Sequence, residues 1–475
     1  MNKTKHFIGI TILMLLTLVS CKETKNEKAT VKEELATYAK QKISTKCLAD
    51  SVWFATNPTT GKRKTPAPKE DISSVFGNNE TVSNCDFHQW SWQKFLWLTN
   101  DVSGEPLFMK NLIQVDNQNT PVAEVGSSKI ILSAKENRQA TGDILRSNSA
   151  FSKDNTSYDV YYSIHVDSTL YNSINKYAKM DKNQYVDVSF PVGALELKVA
   201  WVDAKAIKDT SSYFLTNASI AGKDTQVALL GMHVVGIVYN HPEFVWATFE
   251  HDDLVPYYDW EKTTTSDIPV TSETNKLFFN KNATATIANL ASHYKDPSKD
   301  SLNVFAVNKY GVPRQAKNTF LDTSQKGAEN YNNIDEINKS VKSQLNDIWN
   351  NYFYNGSIWV DTEGYKYPTE QAQLLNTLGD TLSNSAPGKL TRGSVAAYNI
   401  TMETYEQLGF SPPAHIYQQS VATLGNCFSC HSSDNSPLTL SHVFNGAVLK
   451  AKNKTKEETK QKHLNEIVEF IKKLK

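Results

Sequence analysis

The residues with the clearest chemistry are Cys427-Phe428-Ser429-Cys430-His431, near the carboxyl end of the chain. The spacing Cys-x-x-Cys-His is the attachment signature of c-type haem. In such a site both thiols form thioethers with the porphyrin, and the adjacent imidazole binds the iron as an axial ligand. A zinc site would need a second ligand pair at finger spacing, and a disulfide-exchange motif would need a βαβ context. Neither accompanies the motif, so the sequence predicts one covalently bound haem c per chain.

The amino end predicts export. A short basic start precedes the apolar run 7–19, which ends in Leu18-Val19-Ser20-Cys21. This ending resembles the lipobox of bacterial lipoproteins, in which the cysteine is lipid-modified. The run is shorter than the ~20 residues that a membrane-spanning helix needs, which disfavours an uncleaved anchor. We therefore predict a lipoprotein signal peptide at 1–20, lipid on Cys21, and a tether at 21–46. The expected location is the bacterial cell envelope, lipid-anchored and facing the periplasm or the cell surface.

Export also decides what the remaining cysteines are expected to do. With Cys21, Cys427 and Cys430 assigned, Cys47 and Cys85 are left. Exported proteins tend to pair such residues in a disulfide. Closing a loop of about 40 residues would stabilise the fold by about 3–4 kcal/mol in the chain-entropy account. The alternative is two buried free thiols.

Composition is typical of a folded protein without an affinity for nucleic acid. Fifty basic residues balance fifty acidic ones, so the formal net charge is zero and no overall field attracts a polyanion. Aromatic residues make up 11% of the chain, which favours packed cores over disorder. Without signal and tether, roughly 430 residues remain, enough for two or three domains.

The periodicity of apolar residues predicts a β-rich centre with peripheral helices. Helical spacing indicates helices over 88–98 and from Ile334 to Tyr352. Strands are expected at 158–166, 195–201, 227–239 and 244–250. In the second of these, Leu195 and its alternate neighbours should face the core, with Glu196 and Lys198 outside. The last two strands should form a hairpin across the turn-forming residues 240–243.

This hairpin suggests a second chemical site. If Tyr239 pairs with Phe244, His233 lies opposite Glu250, about 5 Å away at Cβ. With His251 next in the chain, the group could bind a metal, relay protons or contact haem. The alternative is a structural hydrogen bond, and a shift in register would remove the pair altogether.

The carboxyl-terminal part resembles a class I cytochrome c domain. A helix at 413–424 would lead into the haem motif, and apolar residues at helical spacing from Leu464 to Leu474 predict a final helix. The segment Ser436-Pro437-Leu438 resembles the Gly-Pro-x-Leu segment of that family. The resemblance implies that His431 is the proximal ligand and that the Pro437 carbonyl orients it. The expected fold class is thus α+β: a β-rich domain with peripheral helices at 47–385, followed by a small all-α haem domain at 386–475.

The sixth iron ligand departs from the family pattern. Class I cytochromes take a methionine after the haem motif, but this sequence has no Met after Met402. Met402 or His442 is the preferred candidate, while His415 and a group from the large domain remain open. An empty position would permit ligand binding or peroxide chemistry.

Three functions are compatible with these features. The leading expectation is a membrane-anchored c-type cytochrome that exchanges electrons with a redox partner protein or a small-molecule donor or acceptor. A haem-dependent oxidoreductase with its reaction site in the large domain is the first alternative, favoured by the size of that domain. The second alternative is a haem-based sensor or binding lipoprotein with an open iron site.

Overall fold

The computed structural model describes eleven stretches of the chain. These are residues 46–76, 83–122, 129–132, 145–185, 188–255, 272–281, 327–360, 391–393, 399–402, 427–431 and 436–452. All of them belong to one compact unit, Lys46–Lys475.

A large sheet dominates the described residues. Its strand order is β11-β10-β9-β8-β6-β5-β3, with β7 paired to β8 and β4 paired to β7. All of its pairings are antiparallel except that of β4 with β7. The strands are β3 Ile113–Val115, β4 Lys129–Leu132, β5 Val160–Val166, β6 Leu195–Asp203, β7 Leu215–Ile220, β8 Lys223–Val238, β9 His241–His251, β10 Tyr352–Val360 and β11 Thr391–Gly393; β1 Asp101–Val102 and β2 Glu105–Pro106 form a separate small hairpin.

Helices cover both faces of this sheet. In the described residues they are α1 Ser73–Phe76, α2 Asn84–Leu98, α3 Leu107–Asn111, α4 Ser168–Tyr177, α5 Gly327–Gln344, α6 Cys427–Cys430 and α7 His442–Ala451. Because strand side chains alternate between faces, every central strand must bury two sets of residues. We call the two surfaces face A and face B.

Face A carries the larger core, built by α2 and α5. Leu195 and Leu197 of β6 point to this side, and Phe249 of β9 stacks on Phe95 of α2 with ring centroids 4.1 Å apart. Apolar residues of α5, including Ile334, complete the cluster. The helix predicted over 88–98 is confirmed, and its aromatic residues pack in this core.

Face B is covered by the carboxyl-terminal segments. Val235 and Phe244 on this side form one buried cluster with Phe428 of α6 and Phe444 of α7. Helix α7 approaches the turn after β3 so closely that a Cβ at Gly446 would collide with the backbone carbonyl of Asn117. The segment that contains the haem motif therefore packs directly against face B of the sheet.

The expected fold class is wrong in its second half. Within the described part of the chain, the carboxyl-terminal quarter contributes only α6 and α7, and both share a core with the sheet. No small all-α haem domain is evident among these residues. The predicted helix 413–424, the terminal helix from Leu464 to Leu474, the signal peptide, Cys21 and nearly all of the tether lie outside the described residues.

Two element boundaries also differ from expectation. Helix α5 ends at Gln344, and Asp347 caps a separate 3₁₀ turn, Ile348–Asn351, by accepting from the Trp349 backbone N–H at 3.1 Å. Tyr352 then begins β10, so the apolar spacing that predicted one helix continues through a turn into a strand. The expected strands at 158–166, 195–201, 227–239 and 244–250 correspond to β5, β6, β8 and β9.

The structure contains the expected disulfide between Cys47 and Cys85, which are 38 positions apart. Cys85 lies in the first turn of α2. The backbone N–H of Cys47 donates to the Glu336 carboxylate of α5 at 2.9 Å. The disulfide attaches the start of the described chain to α2, and the hydrogen bond attaches it to α5, so both helices of face A hold it.

Replacing Cys47 and Cys85 together by Ala should lower the free energy of unfolding by about 3 kcal/mol, because the unfolded chain regains the freedom of the open loop. Urea denaturation of oxidised protein measures this. Reductant should produce the same loss in the wild type and no change in the double variant. Equal stability of the oxidised wild type and the double variant would show that the bond does not contribute.

Candidate haem centre

The haem motif occupies one helical turn. Helix α6 spans Cys427–Cys430, and the backbone N–H of His431 donates to the Cys427 carbonyl at 2.9 Å. Residues four apart share a helix face, so Cys427 and His431 point to the same side. The Cys427 side chain is half-buried, while the Phe428 side chain is buried in the face B core. Phe428 therefore anchors the helical turn in that core.

The imidazole of His431 has a fixed tautomer. Its Nδ1 lies 2.8 Å from the carbonyl oxygen of Leu440. A carbonyl can only accept, so Nδ1 carries the hydrogen and Nε2 presents a lone pair, as iron ligation requires. The sequence had assigned this orienting role to Pro437. The structure gives it to Leu440, because Pro437 starts a 3₁₀ turn, Pro437–Leu440, that brings its last carbonyl to the ring.

Two further rings hold His431 in place. Trp246 of β9 contacts it with ring centroids 4.3 Å apart, and His442 stacks on it at 3.9 Å with an interplanar angle of 15°. Burial, followed by the neighbouring His442, holds the pKa of His431 well below 6.5. The ring is therefore neutral, the form in which a histidine binds a metal.

The two preferred sixth ligands occupy different settings. His442 lies face to face with His431, whereas ligands on opposite sides of one iron point their donor atoms at the metal. Met402 is buried in the segment 399–402, which packs on the same face B. Asn399 of this segment donates to the Thr248 hydroxyl at 2.9 Å, and Thr248 lies on β9 two residues from Trp246. The structure thus places the segment that contains Met402 on the same face of the sheet as the motif.

The strands β6 and β8 carry polar side chains on face B, the side on which the motif packs. Lys198 of β6 and His233 of β8 are cross-strand partners on face B. Glu196, two residues from Lys198, accepts a hydrogen bond from the Ser441 hydroxyl at 2.8 Å. Burial raises the pKa of the Glu196 carboxyl from 4.5 to about 7, against the opposing effects of the Ser441 hydrogen bond and the Lys198 charge. Glu196 and Lys198 were expected to face outward, but the carboxyl-terminal segment covers their side of the sheet.

The hairpin β8–β9 is present, but its register is shifted by two residues from the expected one. Val238 pairs with His241 across the two residues Tyr239 and Asn240, and an irregularity follows at Gly236–Val238. The turn-forming residues from His241 onward belong to the strand, because the irregularity accommodates the two extra residues that β9 has at this point. His233 consequently lies opposite Thr248, and Glu250 lies opposite Gly231.

Glu250 and His251 have structural roles on opposite faces. The Glu250 carboxylate on face B accepts from the backbone N–H of Ile400 and so holds the segment 399–402. His251 on face A stacks on Tyr213 at 3.6 Å and donates from Nε2 to the Ser212 carbonyl at 3.1 Å. Burial lowers the pKa of His251 to about 4. The structure therefore does not bring His233, Glu250 and His251 together as a second site.

The described residues contain no group of three or more His, Cys, Asp or Glu arranged to hold a metal ion. The described geometry of the motif is compatible with a haem, because the His431 tautomer is fixed and Cys427 and His431 share one face of the helical turn. Sequence reasoning missed Leu440, Trp246, Glu196 and Lys198 as neighbours of the motif. Leu440 acts through its backbone carbonyl, which leaves no signal in the sequence. For the other three residues, the alternation of apolar and polar side chains in β6 and β9 shows which face of the sheet they occupy, but it does not show which segment covers that face.

Comparison with known proteins adds no assignment. No protein-family model, curated protein or solved structure shows significant similarity to the chain. In the part of the chain that the structure describes, none of the helices is both long and apolar enough to cross a membrane.

The Glu196 carboxyl predicts a pH-dependent component of stability. Its pKa is higher in the folded state than the ordinary 4.5, so folding binds a proton between about pH 4.5 and 7. Wild-type stability should fall by about 2 kcal/mol as pH rises through this window, less than the full shift implies because the carboxyl keeps some solvent contact.

Glu196→Gln should remove this component and still accept the Ser441 hydrogen bond. Urea denaturation at pH 4.5, 6 and 8 measures it, with Glu273→Gln at an exposed position as the matched control. A Glu196→Gln variant whose stability followed pH as the wild type does would contradict the assignment.

Proposed function

We propose that this chain is a lipid-anchored c-type cytochrome of the bacterial cell envelope, with one haem attached at Cys427 and Cys430. The single observation that carries the proposal is the His431 geometry. Its Nδ1 is committed to the Leu440 carbonyl at 2.8 Å, and its ring sits one helical turn from Cys427. When bound, haem c supplies one-electron exchange.

The residues around the motif hold and orient it. Leu440 fixes the tautomer, Trp246 and His442 fix the plane of the ring, and Phe428 anchors the helical turn in the core. A ligand whose position is set by packing changes little in geometry between oxidation states, which suits electron transfer. The partner would be a redox protein or a small-molecule donor or acceptor, and the neutral net charge gives no reason to expect nucleic acid.

A second candidate, a haem-dependent oxidoreductase, is favoured by a cleft beside α2. The cleft has a volume of about 610 Å³ and lies between the 55–64 hairpin and the β1–β2 hairpin. Trp97, Lys62 and Lys64 are among its lining residues. A substrate with an anionic group and a flat apolar part would suit such a lining.

Covalent haem is the primary test. When the full chain is expressed in a bacterium that matures c-type cytochromes, membranes should contain a haem-staining band that survives denaturing electrophoresis. Replacing Cys427 and Cys430 together by Ser should abolish the band, because no thioether can form. The Cys47→Ala/Cys85→Ala variant is the matched control and should keep it. Staining that persisted in the Cys427/Cys430 variant would refute the proposal.

The sixth ligand distinguishes a carrier from the alternatives. Because His442 is stacked on His431, we expect Met402 to close the site. Met402→Ala should convert a low-spin absorption spectrum into a high-spin one and lower the reduction potential, since Met/His ligation keeps the potential high. His442→Ala should remain low-spin.

A high-spin spectrum of His442→Ala together with a low-spin spectrum of Met402→Ala would instead identify His442 as the sixth ligand. A wild type that is already high-spin and binds carbon monoxide rapidly would instead favour the oxidoreductase or the sensor.

A further inference from the structure

The cleft beside α2 has a polar floor that is fixed within the protein. Arg63, whose side chain is 7% exposed, forms an ion pair with Asp347 at 2.7 Å. It also donates to the Thr65 hydroxyl at 2.7 Å and to the Thr99 hydroxyl at 3.0 Å. Asn100 holds the Thr65 backbone by two hydrogen bonds, of 2.9 and 2.8 Å. Because these groups satisfy one another, the floor is rigid and the cleft is formed before any ligand binds.

Two lysines on the cleft wall offer positive charge. Lys62 and Lys64 flank Arg63, which forms an antiparallel bridge with Thr56, so the alternation of side chains places both lysines on one side, about 7 Å apart at Cα. Both are exposed, and neither ammonium forms an ion pair with a described residue. Asp101 is the only acid among the described lining residues, and one of its oxygens already accepts from a backbone N–H of the β1–β2 turn at 3.1 Å. The wall therefore favours an anionic ligand.

The half-buried indole of Trp97 is the flat apolar surface of the cleft. The Lys94 ammonium lies 4.7 Å from the Trp97 ring centroid, but Lys94 does not line the cleft. The lysine therefore covers ring surface outside the cleft and leaves the remainder to a ligand. Leu107 and Val102 extend the apolar surface. The C–H face of a pyranose sugar is flat and apolar and packs on such a ring.

Polar side chains along the same cleft supply partners for hydroxyl groups. Asn57, Thr60 and Ser103 line it, and the Asn57 amide oxygen accepts from a neighbouring backbone N–H at 2.8 Å. The amide nitrogen of Asn57 has no partner among the described residues and remains a donor. Amide, hydroxyl and carboxylate groups together both donate and accept, as the hydroxyls of a sugar require. An aromatic acid would use Trp97 and the lysines but would leave these groups without a partner.

We propose that the cleft binds an acidic oligosaccharide of the uronate class, with a sugar ring on Trp97 and a carboxylate between Lys62 and Lys64. This is a binding activity separate from the haem, and it does not depend on whether haem is attached. The lysine ammonium groups donate charge-assisted hydrogen bonds to the carboxylate, while the polar side chains position the ring hydroxyls. Trp97 contributes the apolar contact.

Calorimetric titration of the full-length protein with trigalacturonate and trimannuronate tests the proposal. At least one of the two should bind with a Kd below about 1 mM. The methyl ester of the trisaccharide that binds keeps the rings but lacks the charges. It should bind about tenfold more weakly, because each exposed ion pair contributes little by itself. Lys62→Met/Lys64→Met changes only exposed side chains and should lower the affinity for the acid to that for the ester. Trp97→Leu should weaken acid and ester alike by about tenfold.

Lys223→Met, at an exposed position on the β7–β8 turn, is the matched control and should leave both affinities unchanged. Cys427→Ser/Cys430→Ser should also bind as the wild type does, so a failure of the haem proposal would leave this site intact. The inference would be overturned if neither acid bound, if acid and ester bound equally, or if the double lysine variant kept wild-type affinity. Binding of phosphatidylglycerol vesicles through the same lysines, without trisaccharide binding, would overturn it by assigning the cleft to lipid headgroups.

Discussion

The constraint on which the structure depends is that β6, β8 and β9 must be buried on both faces. Face A is covered by α2 and α5, which pack directly on it. Face B has apolar residues, among them Val235 and Phe244, whose partners come from the carboxyl-terminal segments. Burying these residues stabilises the fold at about 25 cal/mol per Å² of apolar surface. The haem motif therefore takes its position from the main core, and the same packing that completes the fold orients His431.

Polar residues interrupt that packing on face B at several places. Glu196 accepts from the Ser441 hydroxyl, and the Lys198 ammonium lies 5.2 Å from the centroid of the Tyr162 ring. Glu250 accepts from the Ile400 backbone, and Tyr162 donates to the Thr401 carbonyl at 2.5 Å. Because Ser441, Ile400 and Thr401 belong to the carboxyl-terminal segments, these hydrogen bonds join those segments to the sheet.

The sequence predicted elements better than it predicted their partners. Alternation in β6 identified Leu195 and Leu197 as core residues, but the same pattern made Lys198 solvent-facing, because alternation does not show what covers a polar face. The hairpin was expected, yet its turn has two residues instead of four, and together with the irregularity near Val238 this places His233 opposite Thr248. The Cys-x-x-Cys-His spacing predicts the chemistry of the motif by itself. The contact that orients its histidine comes from a backbone carbonyl, which any residue at position 440 would supply.

The sites that the two leading functions would use lie on different sides of the sheet. The cleft beside Trp97 adjoins α2, on the face A side, while the motif with His431 lies on face B. A substrate in the cleft could not touch a group held by His431, so an oxidoreductase of this design would have to pass electrons through the sheet and the face A core. An electron carrier has no such requirement, because its partner needs only to approach the haem from outside. The separation therefore favours the proposed electron transfer, with the large sheet serving as the rigid support against which the motif packs.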